Sequence, residues 1–272
     1  MKTIRLSLIL LFSIFVSACG GDSTPMPEQS MGRLSLAISD SPMLGLSAVQ
    51  MGFAEISMLD ANNVEHRFTV NDAMFDLMAY QGSKSYGLID GLELAVGNYH
   101  EVKLHPIDGT NINSMSGQFP MAFQLGYMPV NDFMINLDQT TSLTIEIDLY
   151  RTMFQNENGF QMMHYGVSTV DNAFMGHLSI DINPDWIAEC EAEFSHLAAQ
   201  GSIFTHMIYL YLGADIPMTQ MSDAYFEQSG EMALPYAMHP AYLDDNGDWH
   251  AQIGFMMPGE YSTGYTCLGH LD

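Results

Sequence analysis

Basic residues are the scarcest feature of this 272-residue chain: seven lysines and arginines stand against 32 aspartates and glutamates, for a net charge of −25. Two of the seven, Lys2 and Arg5, sit at the extreme N-terminus. Without them the charge becomes −27, and the remaining bases are Arg33, Arg67, Lys84, Lys103 and Arg151. These are scattered singly. No basic patch exists to track phosphates or to dock on anionic lipid, so nucleic acid is excluded as a partner. Charged residues of both signs make up only 14% of the chain and hydrophobic residues 47%, a composition that builds a packed core and disfavours disorder. Catalytic signatures are missing as well. There is no Gly-x-Ser-x-Gly elbow, no His-Glu-x-x-His pair and no phosphate-cradling glycine loop, and no two of the ten histidines are spaced i, i+4. The chain reads as non-enzymatic and as needing no cofactor.

The apolar stretch Leu6–Val16 falls short of the about 20 residues that a membrane-spanning helix needs. It follows the cations Lys2 and Arg5 and ends in Val16-Ser17-Ala18-Cys19. A cationic start, a short apolar run and small residues make a secretory signal. Val16-Ser17-Ala18-Cys19 resembles the bacterial lipobox, whose cysteine receives a diacylglycerol and becomes the mature N-terminus. Residues 1–18 are thus expected to be a lipoprotein signal and Cys19 the lipidated residue through which the membrane is a partner. The base-poor body has little attraction to lipid of its own, so the acyl chains must anchor it. Gly20, in place of the aspartate linked to inner-membrane retention, implies by that resemblance the outer membrane. Residues 19–31, rich in Gly, Ser, Pro and polar side chains, read as a flexible tether.

Only three cysteines are present. With Cys19 acylated, Cys190 and Cys267 remain as an even pair in an oxidising compartment, and a disulfide is expected. On the chain-entropy account it stabilises by about 4 kcal/mol.

Period-two alternation dominates the rest. Leu34, Leu36 and Ile38 alternate with polar or small residues up to the turn residues Asp40-Ser41-Pro42. Val49, Met51 and Phe53 alternate, then Ile56 and Met58 continue on the opposite phase, which predicts a bulge near Ala54. Strands are also predicted at Val64–Val70, Phe119–Leu125 and Phe133–Leu137, and Leu94–Tyr99 leads into one with His100, Val102 and Leu104 on one face. Shorter extended pieces are predicted at Asp76–Gln81 and Tyr86–Asp90. The clearest strand is Leu143–Leu149, where Thr144, Glu146 and Asp148 alternate with apolar residues. A second unit opens near Gly176 with Leu178, Ile180 and Ile182. Asn183-Pro184 then gives a helix cap with proline at the first helical position, predicting a short helix over 184–200. Strands at Ile203–Leu212, Trp249–Phe255 and Tyr261–Leu268 complete it. Many short strands at spacings of about 8 to 12 residues predict an all-β fold of two tandem sandwiches, residues 32–175 and 176–272. An echo links Leu94-Ala95-Val96-Gly97-Asn98-Tyr99 to Met256-Met257-Pro258-Gly259-Glu260-Tyr261. Each has an apolar pair, a turn glycine suited to positive φ and a tyrosine that opens a strand.

The segments Gly32–Pro42 (GRLSLAISDSP), Phe75–Gly82 (FDLMAYQG), Leu92–Leu104 (LELAVGNYHEVKL), Ile147–Arg151 and Val170–Asn172 resemble, in that order, a bacterial lipoprotein family known as domain of unknown function 4382. The resemblance covers roughly residues 31–180 and implies a β-sandwich with no assigned activity. The remainder, about 177–272, is similar through Tyr209–Asp215 and Pro258–Cys267 to transthyretin-like or carboxypeptidase-regulatory-like modules. Those modules imply a structural, carbohydrate-binding or protein-binding role and pair Cys190 with Cys267.

Two metal-ligand patterns stand beside that role. Asp244, Asp245, Asn246 and Asp248 cluster oxygens around Gly247, as Ca²⁺ requires, but the glutamate of a calcium loop six residues past the glycine is here Ile253. Asn-Gly between Tyr242 and Trp249 is equally a hairpin turn. Met162, Met163 and His164, with Met218, Met221, Met256 and Met257, offer thioether and imidazole ligands to Cu(I), or alternatively supply adaptable core packing, as expected at Met51 and Met58. The expected function is a lipid-anchored envelope module that binds a glycan, a protein or a surface polymer. The alternative is a metal-handling lipoprotein.

Overall fold

The computed structural model describes residues 30–41, 43, 45–71, 73–197, 204–222, 232–244 and 246–269. The predicted signal, Cys19 and most of the predicted tether lie outside them, as does Asp245. The fold is all-β and sandwich-like, with 21 strands among the described residues.

The chain enters on β1 (Met31–Ser41), whose alternation drives Leu34, Leu36 and Ile38 into the core. β2 (Leu46–Met51) and β3 (Phe53–Asp60) follow nearly end to end, and the register slips between Phe53 and Glu55, where the phase change predicted a bulge. β4 (Glu65–Thr69) returns beside β3, and β5 (Phe75–Asp76) borders β2. Next come β6 (Tyr86–Ala95), β7 (Gly97–Pro106), β8 (Asn111–Ser114) and β9 (Gly117–Phe123). They lead to β10 (Met128–Val130), β11 (Phe133–Ile135) and β12 (Thr140–Asp148). A single helical turn, α1 (Leu149–Thr152), precedes β13 (Met153–Asn156), β14 (Gly159–Met162) and β15 (Val167–Asp171).

These strands form three sheets: β15-β12-β1-β6, then β10-β7-β3-β4 with β11 also on β7, and β13-β14-β9-β8-β2-β5. They enclose one apolar core that runs from Leu34 to Met162. The pairing of β1 with β12 is parallel, Arg33 opposite Thr140 through to Ser41 opposite Asp148.

The C-terminal body begins with β16 (Gly176–Asp181) and α2 (Pro184–Glu193). Asn183 caps α2 by accepting from the Asp185 N–H at 2.9 Å. The helix is shorter than the predicted 184–200 and ends at Phe194. Its last turn carries Glu191 and Glu193 and no base, which opposes the helix dipole. β17 (Met207–Leu212) reads as a continuous apolar run because both faces are covered. Ile208 and Leu210 enter one cluster, with Ile182, Ile187 and Ile253, while Met207, Tyr209 and Tyr211 enter another. β18 (Ala237–Pro240) and β21 (Tyr261–Thr266) flank β17, whereas β19 (Tyr242–Leu243), β20 (Trp249–Met256) and β16 form the facing sheet. The two tyrosines of the sequence echo do the same job. Tyr99 donates to the Ala95 carbonyl at 3.0 Å and Tyr261 to that of Met257 at 2.6 Å, each tying down the residue four positions back. Of the two turn glycines only Gly97 takes positive φ.

Cys190 of α2 and Cys267 just past β21 are joined by a disulfide with Cα atoms 6.1 Å apart.

Candidate functional site

The C-terminal ends of β1 and β12 build the most unusual environment in the molecule. Alternation puts Leu143, Ile145 and Ile147 on the core side of β12, leaving Thr144, Glu146 and Asp148 on the opposite face. The register aligns Ser39 with Glu146 and Ser41 with Asp148, and Ser168 of β15 with Glu146 on the other side. That polar face is not solvated at this end: Ser39 and Thr144 are fully buried. The C-terminal body lies over it, leaving a cleft of about 370 Å³. Its polar wall includes Ser41, Glu146, Asp148, Arg151 and Ser168, and its opposite wall Leu212, Pro235, Tyr236, Ile253 and Phe255. Tyr165, 64% exposed, stands at its rim.

Asp40 does not sit in a turn, as Asp-Ser-Pro suggests. It continues the core-facing phase of Leu34, Leu36 and Ile38, pairs with Ile147 and bridges to Gln81. Its exposure is 1%. Burial, then the charges of Glu146 and Asp76, push its carboxyl up to about 9, against a smaller opposing effect of the Gln81 side chain. Burial also lifts Glu146 to about 8, partly offset by the Ser39 and Ser41 hydroxyls. Both Asp40 carboxyl oxygens and Glu146 Oε2 are buried without a hydrogen-bond partner, while Ser41 Oγ donates to Glu146 Oε1 at 3.3 Å. At neutral pH both groups are therefore protonated, the state a low-dielectric site selects for an unpaired carboxyl. Asp148 is shifted upward by burial, and Arg151 opposes the shift. Arg151 Nε pairs with Asp148 Oδ2 at 3.2 Å, and its Nη2 donates across the seam to the Pro235 carbonyl at 3.1 Å.

The seam closes through backbone. A Cβ placed on Gly254 would meet the Gly82 carbonyl oxygen at 1.8 Å, so only glycine permits this approach. Next to Gly254, β20 is bulged: Gly254 and Phe255 together face the single residue His177, and Phe255 takes φ +51°. The bulge turns the ring of Phe255 toward the cleft wall. Beyond the glycine contact a second recess of about 230 Å³ is lined by Gln81, Lys84, His239, Tyr242 and Gln252. His239 Nδ1 lies 2.8 Å from the Pro240 carbonyl and so carries the proton, leaving Nε2 as a buried, unpartnered acceptor. Burial lowers its pKa and keeps the ring neutral.

The metal-ligand candidates fall in separate places, and only Met162, Met163 and His164 share one lining. Asp244 closes the β19–β20 hairpin, its Oδ1 accepting from the N–H groups of Asn246 at 2.8 Å and Asp248 at 2.9 Å, and Gly247 takes φ +87°. Asn246 Nδ2 donates to Asp244 Oδ2 at 3.1 Å, so this carboxylate is engaged within its own turn. Met162 is 2% exposed in the N-terminal core, and His164 Nδ1 contacts Gln124 Oε1 at 2.9 Å. Met162, Met163 and His164 together border a crevice of only about 10 Å³. Met221 packs against Tyr209 and Tyr211, Met256 belongs to the core of the C-terminal body, and Met218 is 84% exposed. Among the described residues no group of three or more His, Cys, Asp or Glu is disposed to hold a metal.

Sequence reasoning passed over Asp40, Glu146, Gly82 and Gly254. A signal existed for the first: Asp40 keeps the even-numbered core phase of β1.

Residues 31–163 match the family described as "Domain of unknown function (DUF4382)", which covers most of the N-terminal body. No curated protein matches the chain. Among solved structures, a leucine-rich repeat protein from Bacteroides thetaiotaomicron is similar at 12% identity and a TM-score of 0.20, over 87% of this chain and 22% of that one. The chain thus spans under a quarter of that protein.

Proposed function

We propose that this chain is a lipid-anchored cell-envelope protein that binds a glycan or related polyhydroxylated surface polymer, without catalysis, in the cleft between its two bodies. The observation that carries the reading is the composition of the two walls. Hydroxyls of Ser41 and Ser168, the Asp148 carboxyl and the Arg151 guanidinium face the aromatic rings of Tyr236 and Phe255 across about 370 Å³, with Tyr165 at the rim. Planar polar groups recognise sugar hydroxyls, and aromatic faces take up their C–H surfaces. A few placed polar groups in a largely apolar concavity are the usual make-up of a ligand site. The Arg151 bridge to Pro235 supports a cleft held open in one geometry. The lipobox at Cys19, the Cys190–Cys267 disulfide and the acidic, base-poor surface agree with a place outside the cytoplasm, and Gly20 favours the outer membrane. The C-terminal body is read as a transthyretin-like module, the structural partner that supplies the second wall.

Two experiments test this. Metabolic labelling with palmitate should mark the chain and spare Cys19→Ala; equal labelling of both would overturn the anchor. The mature chain, carried through an oxidising compartment, should bind discrete members of an array of bacterial surface glycans. Uniform background over the array would overturn the ligand class.

A further inference from the structure

The end of the N-terminal body at which the chain enters carries exposed apolar side chains on its turns, which are ordinarily polar, and on the strand ends beside them. Met31 is 36% exposed, Val64 53%, Val96 42%, Met134 53% and Leu137 55%. The strand register gathers them. Met31 pairs with Ala95, the Val96 N–H donates to the Ser30 carbonyl at 2.9 Å, and the Asp138 N–H donates to the Met31 carbonyl at 3.0 Å. Asn98 pairs with Met134, and Asp60, which opens the turn to Val64, pairs with Tyr99. Three turns, at Val64, Val96 and Leu137, and the adjoining strand positions Met31 and Met134 therefore present exposed apolar groups at one end of the sandwich. Charges at this end are of both signs, including the Arg33–Glu93 pair at 3.7 Å with Asp60, Glu65 and Asp138, so no net cationic attraction is on offer.

We propose that this end is seated on the phospholipid bilayer, with Val64, Val96, Met134 and Leu137 in its interfacial layer. The inference rests on the lipid-anchor reading. Ser30 lies at this same end, and Cys19 is eleven residues before it, a span that reaches at most about 38 Å. The acyl anchor thus keeps these loop tips within contact range of the membrane at a high effective concentration, and weak apolar contacts become persistent. The seam lies at the opposite end of β1, whose 11 residues span about 33 Å. A seated body therefore presents the cleft outward, away from its own membrane.

The test uses the full lipidated chain with Trp186→Phe and Trp249→Phe, places single tryptophans at the tips, Val96→Trp and Leu137→Trp, and reads them in phosphatidylcholine vesicles with brominated acyl chains. The control is Met115→Trp, in the turn beside Leu46 at the far end of the β2–β3 run and 94% exposed. Seating predicts at least twofold greater quenching at positions 96 and 137 than at 115, with all three chains floating with the vesicles. Equal quenching in chains that do float would overturn the seating while leaving the anchor intact. Failure of the wild-type chain to float would overturn the anchor, and the seating with it. The double variant Val96→Asp/Leu137→Asp, measured through Met134→Trp, should lose at least half of the quenching; unchanged quenching would likewise count against seating.

Discussion

Asp40→Asn should flatten the pH dependence of folding. In the folded chain Asp40 holds its proton up to about pH 9, whereas its ordinary value is 3.8. The native state thus binds a proton that the unfolded chain releases, and stability falls as pH rises between those limits. The slope is about 1.4 kcal/mol per pH unit, which makes the cost of keeping Asp40 neutral about 4 kcal/mol at pH 7. Glu146, lifted from 4.5 to about 8, adds about 3 kcal/mol at pH 7 if taken alone. The two costs overlap, because part of each shift is the charge of neighbouring acids. Together they are of the order of a domain's whole stability, about 5 to 15 kcal/mol. Asparagine mimics the neutral acid but brings an amide that also needs partners, which takes back about 1 to 3 kcal/mol. Its net gain at pH 7 is therefore about 1 to 3 kcal/mol, and the sharper readout is the slope. Urea unfolding at half-unit steps from pH 5 to 8.5 should be followed by circular dichroism, since Trp186 and Trp249 both lie in the C-terminal body. The variant should lose about 1.4 kcal/mol per pH unit from the wild-type slope. Parallel curves for the two proteins would refute the buried neutral carboxyl.

Gly254→Ala should destabilise by about 1 to 3 kcal/mol through overpacking of the seam and should speed proteolysis near Gly82. Gly176→Ala, whose added Cβ meets nothing within 4 Å, is the matched control, and equal melting of the two variants would count against the seam contact. Reducing Cys190–Cys267, which closes a loop of 77 residues, should cost about 4 kcal/mol in denaturant unfolding of the C-terminal body; a loss under about 1 kcal/mol would contradict the entropic account. Asp244→Ala should lower the melting temperature through its lost turn hydrogen bonds, and added Ca²⁺ should leave the melting temperature of wild type and of variant unchanged. A calcium-dependent rise in wild type alone would support the metal reading.

Alternation made the strands legible, because period-two burial is a local property of the sequence. The phase slip at Ala54 was visible for the same reason, and the parity of cysteines anticipated the disulfide. Asp40 was misread because Asp-Ser-Pro carries a strong local turn signal. The parallel partner that holds Asp40 in a strand lies more than a hundred residues away, at Ile147. The Gly82–Gly254 approach was invisible on the same ground: each glycine is unremarkable in its own neighbourhood, and only their meeting excludes a side chain. Thr144, Glu146 and Asp148 read as the solvent face of a clean amphipathic strand. They became a cleft wall only when a second body covered them.

The central claim is that ligand occupies the seam cleft. Its most direct test is isothermal titration of the mature chain with the best-bound oligosaccharide of the array, using wild type and Tyr165→Ala. Tyr165 is 64% exposed at the rim, so its removal should leave the fold intact. The account predicts affinity about tenfold weaker in the variant, equivalent to about 1.4 kcal/mol, at an unchanged melting temperature. Identical affinities would contradict it.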